Sequence, residues 1–128
     1  MNKLIIDVTN ENFFLMIITN ASVYNITREN TKINYEKLSI IINDFLLSKN
    51  LKITDINAIY INKGPGSFAA MRNSISTVKA FNIAKNIDYY GYNLDDFKEE
   101  KDLSYEKIPD LCKKYKIKKN LIKPIYIS

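Results

Sequence analysis

Asn57-Ala-Ile-Tyr-Ile-Asn-Lys-Gly-Pro-Gly-Ser-Phe-Ala-Ala-Met-Arg72 is the stretch that decides the fold. Ala58–Asn62 is a short β-forming run that stops at a loop, Gly64-Pro-Gly-Ser67. Pro65 followed by Gly66 suits a type II turn, with Gly66 at the position that needs positive φ. Ser67 is placed to cap a helix. That helix is expected over Phe68–Asn86, with Phe68, Met71, Ile75 and Val78 in one row. Small residues, Ala69, Ala70, Ser74, Thr77, Ala80 and Ala84, lie along it and permit close approach of another helix. Strand, glycine loop and helix in this order are one unit of an α/β layered domain.

Working outward, Lys3–Asp7 is isoleucine-rich and reads as a buried strand. Phe13–Thr19 and Ser22–Ile26 follow across turn-forming residues, giving an antiparallel meander. Asn34–Asn50 changes period: Tyr35, Leu38, Ile41, Ile42, Phe45 and Leu46 recur at helical spacing, with Asn34 as the expected N-cap. Ile40 and Leu47 widen the apolar surface beyond one face, as in a helix that buries two sides. Asp88–Tyr92 is a further strand, Asn93–Phe97 a single helical turn, Tyr105–Tyr115 a short helix and Pro124–Ser128 an extended end. The expected order is an N-terminal β-meander, then α-β-α-β, making a mixed sheet with two long helices. Residues 1–97 form the expected lobe and 98–128 a short basic tail.

Composition narrows the chemistry. The 128 residues include no histidine and one cysteine. That removes His-based zinc sites, Ser-His and Cys-His nucleophile pairs, and an internal disulfide. Cys112 has no activating neighbour in sequence and is expected to be inert. The net charge of +5 is uneven. Residues 1–97 hold ten basic and nine acidic side chains, whereas Lys113–Lys123 holds six lysines and no acid. No apolar run is long enough to span a bilayer, and MNKLIIDVTN does not read as a secretory leader, so no membrane contact and a cytoplasmic location are expected.

Several of these segments resemble one family. Leu4–Asn10 is similar to the "I-D-T-S" opening of actin-like, sugar-kinase and Hsp70 domains. Asn57–Arg72 resembles the "D-A-I-A-V-G-x-G-P-G-S-F-T-G-L-R" signature of the tRNA threonylcarbamoyladenosine biosynthesis protein TsaB family. Ile75–Ala80 resembles its "I-A-T-A-K-G", Tyr90–Leu94 its "x-G-V-S-S-L", and Lys123–Ile127 its closing "P-V-Y-L-R". Two departures accompany the match. Members are usually longer, with a second actin-like half, whereas residues 95–122 alone bridge to the closing motif here. Ser128 stands where the family has its terminal arginine.

The resemblance implies a single actin-like (ribonuclease H-like) lobe with no chemistry of its own. It implies a noncatalytic subunit that binds TsaD, the enzyme that transfers threonylcarbamoyl to adenosine 37 of ANN-decoding tRNAs (t6A). TsaE joins the larger complex, tRNA is met mainly indirectly, and a homodimer is the alternative when the chain is alone. The absent histidines fit this role, because TsaD holds its metal on paired helical histidines. No cofactor, metal or catalytic residue is expected. The partner interface is expected on Leu38, Ile41, Ile42 and Phe45 of the first helix and on Ala70, Met71, Arg72, Ser74, Ile75 and Val78 of the second. Gly64, Pro65, Gly66, Ser67 and Phe68 make the motif loop. Two other readings stay open. Asp7 and Thr9, with the glycine loop, could contact a nucleotide in a small hydrolase. Lys113, Lys114, Lys116, Lys118 and Lys119 could contact RNA.

Overall fold

The computed structural model describes residues 1–127; Ser128, where the family arginine is replaced, lies outside the described residues. Three strands open the chain, β1 (Lys3–Asp7), β2 (Asn12–Ile18) and β3 (Val23–Glu29). They form the meander read from the sequence, with β1 and β2 antiparallel and β2 and β3 antiparallel. β4 (Ala58–Asn62) and β6 (Asp88–Tyr92) join on the other side of β1, both parallel. The sheet order is therefore β3-β2-β1-β4-β6.

β1, β2 and β4 read as nearly continuous apolar runs because both faces of the sheet are covered there, whereas the edge strand β3 is largely exposed. Alternation sorts each strand between two cores. Leu4 and Ile6 of β1 and Ile59 and Ile61 of β4 point into one; Ile5 and Tyr60 point into the other. The first core lies under α2 (Leu38–Ser48) and α3 (Phe68–Lys85), which bury Leu38, Ile42, Phe45, Met71, Ile75 and Val78. The second lies under the C-terminal stretch, where Phe97, Ile108, Leu111 and Cys112 meet Ile5, Met16, Tyr60 and Tyr92. Ile108, Leu111 and Cys112 belong to α4 (Ile108–Lys114). Burial pushes the Cys112 thiol up to about 12, in keeping with an inert cysteine.

The expected single helix over 34–50 is two. α1 (Lys32–Glu36) is capped by Thr31, not Asn34: the Thr31 hydroxyl accepts from the Asn34 N–H at 3.3 Å. The ladder breaks at Lys37, whose φ and ψ are −98° and 16° and whose N–H reaches back to the Asn34 carbonyl at 3.0 Å. The break lets α2 lay Leu38, Ile42, Phe45 and Leu46 on the sheet while α1, which buries no residue, leans on α3. The second long helix matches its expected span. It ends on Asn86 at φ 56°, a left-handed cap.

The glycine loop also departs from the expected turn. Gly64, not Gly66, carries the positive φ, at 120°, and the Gly64–Pro65 peptide is cis. Ser67 sits at the N-cap position of α3, but its side chain makes no capping hydrogen bond. Gly66–Ser67 is instead a short strand, β5, paired in parallel with β7 (Tyr126–Ile127).

Candidate functional site

β1, β4 and β6 run parallel, so their C-terminal ends share one edge of the sheet. The chain builds β2 and β3 on one side of β1 and β4 and β6 on the other, so the strand order switches between β1 and β4, and open α/β sheets place ligand crevices outside the strand ends at such a switch. Asp7 ends β1, Asn62 ends β4 and Asn93 follows β6. Two adjoining hollows open at this edge. One, of about 260 Å³, is lined by Asp7, Thr9, Asn10, Leu94 and Tyr105, among others. The other, of about 300 Å³, is lined by Thr9, Asn62, Gly64, Pro65 and Asn93, among others.

Asp7 is buried, and a buried carboxylate needs donors. It has four. Oδ1 accepts from the Thr9 N–H at 2.9 Å and the Thr9 hydroxyl at 2.6 Å. Oδ2 accepts from the Asn62 amide at 3.2 Å and the Tyr105 hydroxyl at 2.9 Å. Tyr105 arrives from the C-terminal stretch and stacks on Phe14, ring centroids 4.0 Å apart. Burial first, then the Asp7 charge and hydrogen bond, raise the Tyr105 phenol above its ordinary value, so it stays a donor. Tyr92 lies close enough to feel the same carboxylate: burial and then Asp7 hold its phenol well above the ordinary range. Its hydroxyl is buried and has no hydrogen-bond partner among the described residues.

Asp7 and Thr9 therefore do meet at a cleft, but as a closed internal network. A carboxylate ordinarily offers about four acceptor positions, and here the chain's own donors take them. Asn62 and Tyr105 were not foreseen. Asn62, a polar residue closing an apolar strand, was the available signal; nothing local marks Tyr105.

The motif loop holds the chain's own end. The Gly64 N–H donates to Asn62 Oδ1 at 3.0 Å, and the Gly66 N–H points to the Ile125 carbonyl at 3.3 Å. The Ile125 N–H returns to the Lys63 carbonyl at 2.8 Å. Phe68 and Tyr126 pack ring to ring, centroids 4.9 Å apart. A Cβ on Gly64 would run into the Ile125 carbonyl oxygen. The Gly64 and Gly66 amides are thus engaged with the chain itself.

Of the ten expected interface residues, Leu38, Ile42, Phe45, Ala70, Met71, Ser74, Ile75 and Val78 are buried in the core. They form the inner faces of α2 and α3. Ile41 is partly buried against the core, and Arg72 is exposed with no ion pair among the described residues. The outer face of α3 runs through Ala69, Arg72, Ser76, Ala80 and Ile83, all exposed. Ile83 is 84% exposed, and Ile33, Ile40, Leu47 and Phe68 are further exposed apolar residues of α1 to α3. Ala69, Arg72 and Ser76 also line a groove of about 490 Å³ shared with Lys32, Tyr35 and Glu36 of α1.

The five candidate RNA lysines divide. Lys114 pairs with Glu100 at 2.8 Å and Lys119 with Asp88 at 3.8 Å. Lys113, Lys116 and Lys118 are exposed and have no ion pair among the described residues.

Comparison with known proteins gives the same picture of the fold. The family profile "TsaD: tRNA N6-adenosine threonylcarbamoyltransferase" matches residues 29–95. No curated protein matches the chain in sequence. Among solved structures, YeaZ from Pseudomonas aeruginosa is similar, with a TM-score of 0.66 and 17% identity. That match covers 72% of this chain and 43% of YeaZ, so the chain spans less than half the length of that relative. RuvC of T. thermophilus in complex with Holliday junction substrate is similar at a TM-score of 0.53 and 10% identity. It is covered over 68% of its length by 77% of this chain. The five-stranded mixed sheet with its helices is the actin-like, ribonuclease H-like fold expected from the sequence.

Proposed function

The chain belongs to the TsaD: tRNA N6-adenosine threonylcarbamoyltransferase family, and from that membership we propose that it acts in t6A synthesis as a TsaB-like accessory subunit. In this role it binds the catalytic TsaD subunit and supports threonylcarbamoyl transfer to adenosine 37 of ANN-decoding tRNAs. The observation that carries the noncatalytic reading is Asp7. It is the one buried acidic side chain among the described residues, and its two oxygens are taken by Thr9, Asn62 and Tyr105. A catalytic or metal-binding carboxylate must offer a lone pair to the reacting group. The lack of histidine agrees with the same role.

Docking to TsaD falls to the outer face of α3 with α1 and α2 beside it, not to the buried residues. Small side chains at Ala69, Ser76 and Ala80 let a second helix approach closely, while Ile83 and Phe68 offer apolar surface at either end. TsaE joins the larger assembly, and in the absence of TsaD a homodimer uses this same face.

Reconstitution tests the reading. Cognate TsaD, supplied with threonylcarbamoyl-adenylate and tRNA, should form t6A faster with the chain than without it. The chain alone should form none and should give no heat with ATP or ADP in calorimetry. Transfer by the chain alone, or nucleotide binding at Asp7, would overturn it.

A further inference from the structure

The unpaired lysines gather in one place. Lys116, Lys118 and Lys123 line a hollow of about 250 Å³ together with Lys63, which comes from the motif loop. Gly91 lies in its wall, and no acidic side chain lines it. None of the four lysines has an ion pair among the described residues. Lys116 is held at φ 56°, a conformation that non-glycine residues seldom adopt. Four like charges around one hollow repel one another, and no ion pair among the described residues offsets that repulsion.

Lys116 also lines a second hollow of about 510 Å³, with Lys3 and Lys113. Tyr60 and Tyr90 form its aromatic side, stacked with centroids 5.1 Å apart and planes within 11°. Tyr90 is the more exposed of the two. Asp110 is the one acid in this lining. A lysine-lined hollow continuous with an aromatic pair combines the two features that bind a single nucleic-acid strand: cations for phosphates and a ring for a base.

We propose that this double hollow binds single-stranded RNA, with consecutive phosphates on Lys63, Lys116, Lys118 and Lys123 and a base against Tyr90. Lys114 and Lys119 line neither hollow and take little part. The inference rests on the t6A reading only for the choice of RNA over DNA. Its test uses the chain without TsaD, so failure here leaves the accessory role standing, and failure of that role leaves this site standing.

Fluorescence anisotropy with a labelled single-stranded oligoribonucleotide, over a range of salt, reads the site directly. Four phosphate contacts predict a salt slope of about −3 on logarithmic axes. Lys63→Gln with Lys118→Gln should weaken binding about tenfold and reduce the slope by about 1.4. Lys114→Gln with Lys119→Gln should change affinity less than about twofold, because neither side chain lines either hollow. Tyr90→Ala should lower single-strand affinity about tenfold and spare a duplex of the same sequence. Thermal melts establish that each variant is folded. Equal losses from the two lysine pairs, no binding at low salt, or no effect of Tyr90→Ala would overturn the proposal.

Discussion

The Tyr105 hydroxyl donates to Asp7 Oδ2 at 2.9 Å, joining residues 98 positions apart. This bond ties the C-terminal stretch to the strand-end carboxylate and closes the cleft from one side. Tyr105→Phe keeps the stack on Phe14 and removes only the donor. It should destabilise the fold by about 1–3 kcal/mol, since a buried carboxylate loses one of its partners. Urea unfolding measures this, and an unchanged midpoint would mean the bond contributes nothing.

Gly64 is the position least able to change. Its φ of 120° is unfavourable for any residue with a Cβ, and the Ile125 carbonyl fills the space a Cβ would take. Gly64→Ala should cost more than about 2 kcal/mol and detach the end of the chain from the motif loop. Limited proteolysis reads the second effect as faster cleavage near Lys123. A variant as stable and as resistant as the parent would refute it.

How much of this was legible in the sequence differs by element. β1 and β4 fall where their apolar runs lie, because strands buried on both faces read as unbroken hydrophobic stretches. The break at Lys37 was not legible: Tyr35, Leu38 and Ile42 keep helical spacing across it, and the change of direction is set by α3 and the sheet. The burial of eight of the ten expected interface residues has a similar cause. Periodicity identifies the apolar rows of α2 and α3, but only the sheet decides which row is inside. The bond from Tyr105 to Asp7 could not be read at all, since Tyr105 reaches it through tertiary packing with no local pattern. The pairing of the motif loop with Tyr126 and Ile127 explains afterwards why two motifs so far apart accompany one another.

Tyr92 carries a buried hydroxyl with no partner among the described residues. Burying an unsatisfied hydroxyl costs about 1–3 kcal/mol, so Tyr92→Phe should leave stability unchanged or raise it by about 1 kcal/mol. Chemical denaturation distinguishes this from a hidden hydrogen bond, which would make the variant clearly less stable.

Tyr60, Tyr92 and Tyr105 all have phenols raised above the ordinary value of 10.0, burial being the first cause in each. A raised folded value means the neutral phenol is favoured by the folded state. That contribution is complete below pH 10 and is lost as pH rises through the folded values. The protein should therefore hold its fold through neutral pH and unfold cooperatively above pH 10 as these phenolates appear. Ultraviolet absorbance followed alongside circular dichroism checks the coincidence. Ionisation of all nine tyrosines near the ordinary value with the fold intact would contradict it.

The accessory role stands or falls on the outer face of α3. Size-exclusion chromatography with light scattering, on the chain mixed with cognate TsaD at micromolar concentration, tests it most directly. The parent chain should co-elute with TsaD as one species, and Ala80→Arg, exposed and compatible with a helix, should elute apart from it while remaining folded. Separate elution of the parent chain, or co-elution unaffected by Ala80→Arg, would contradict docking through this face.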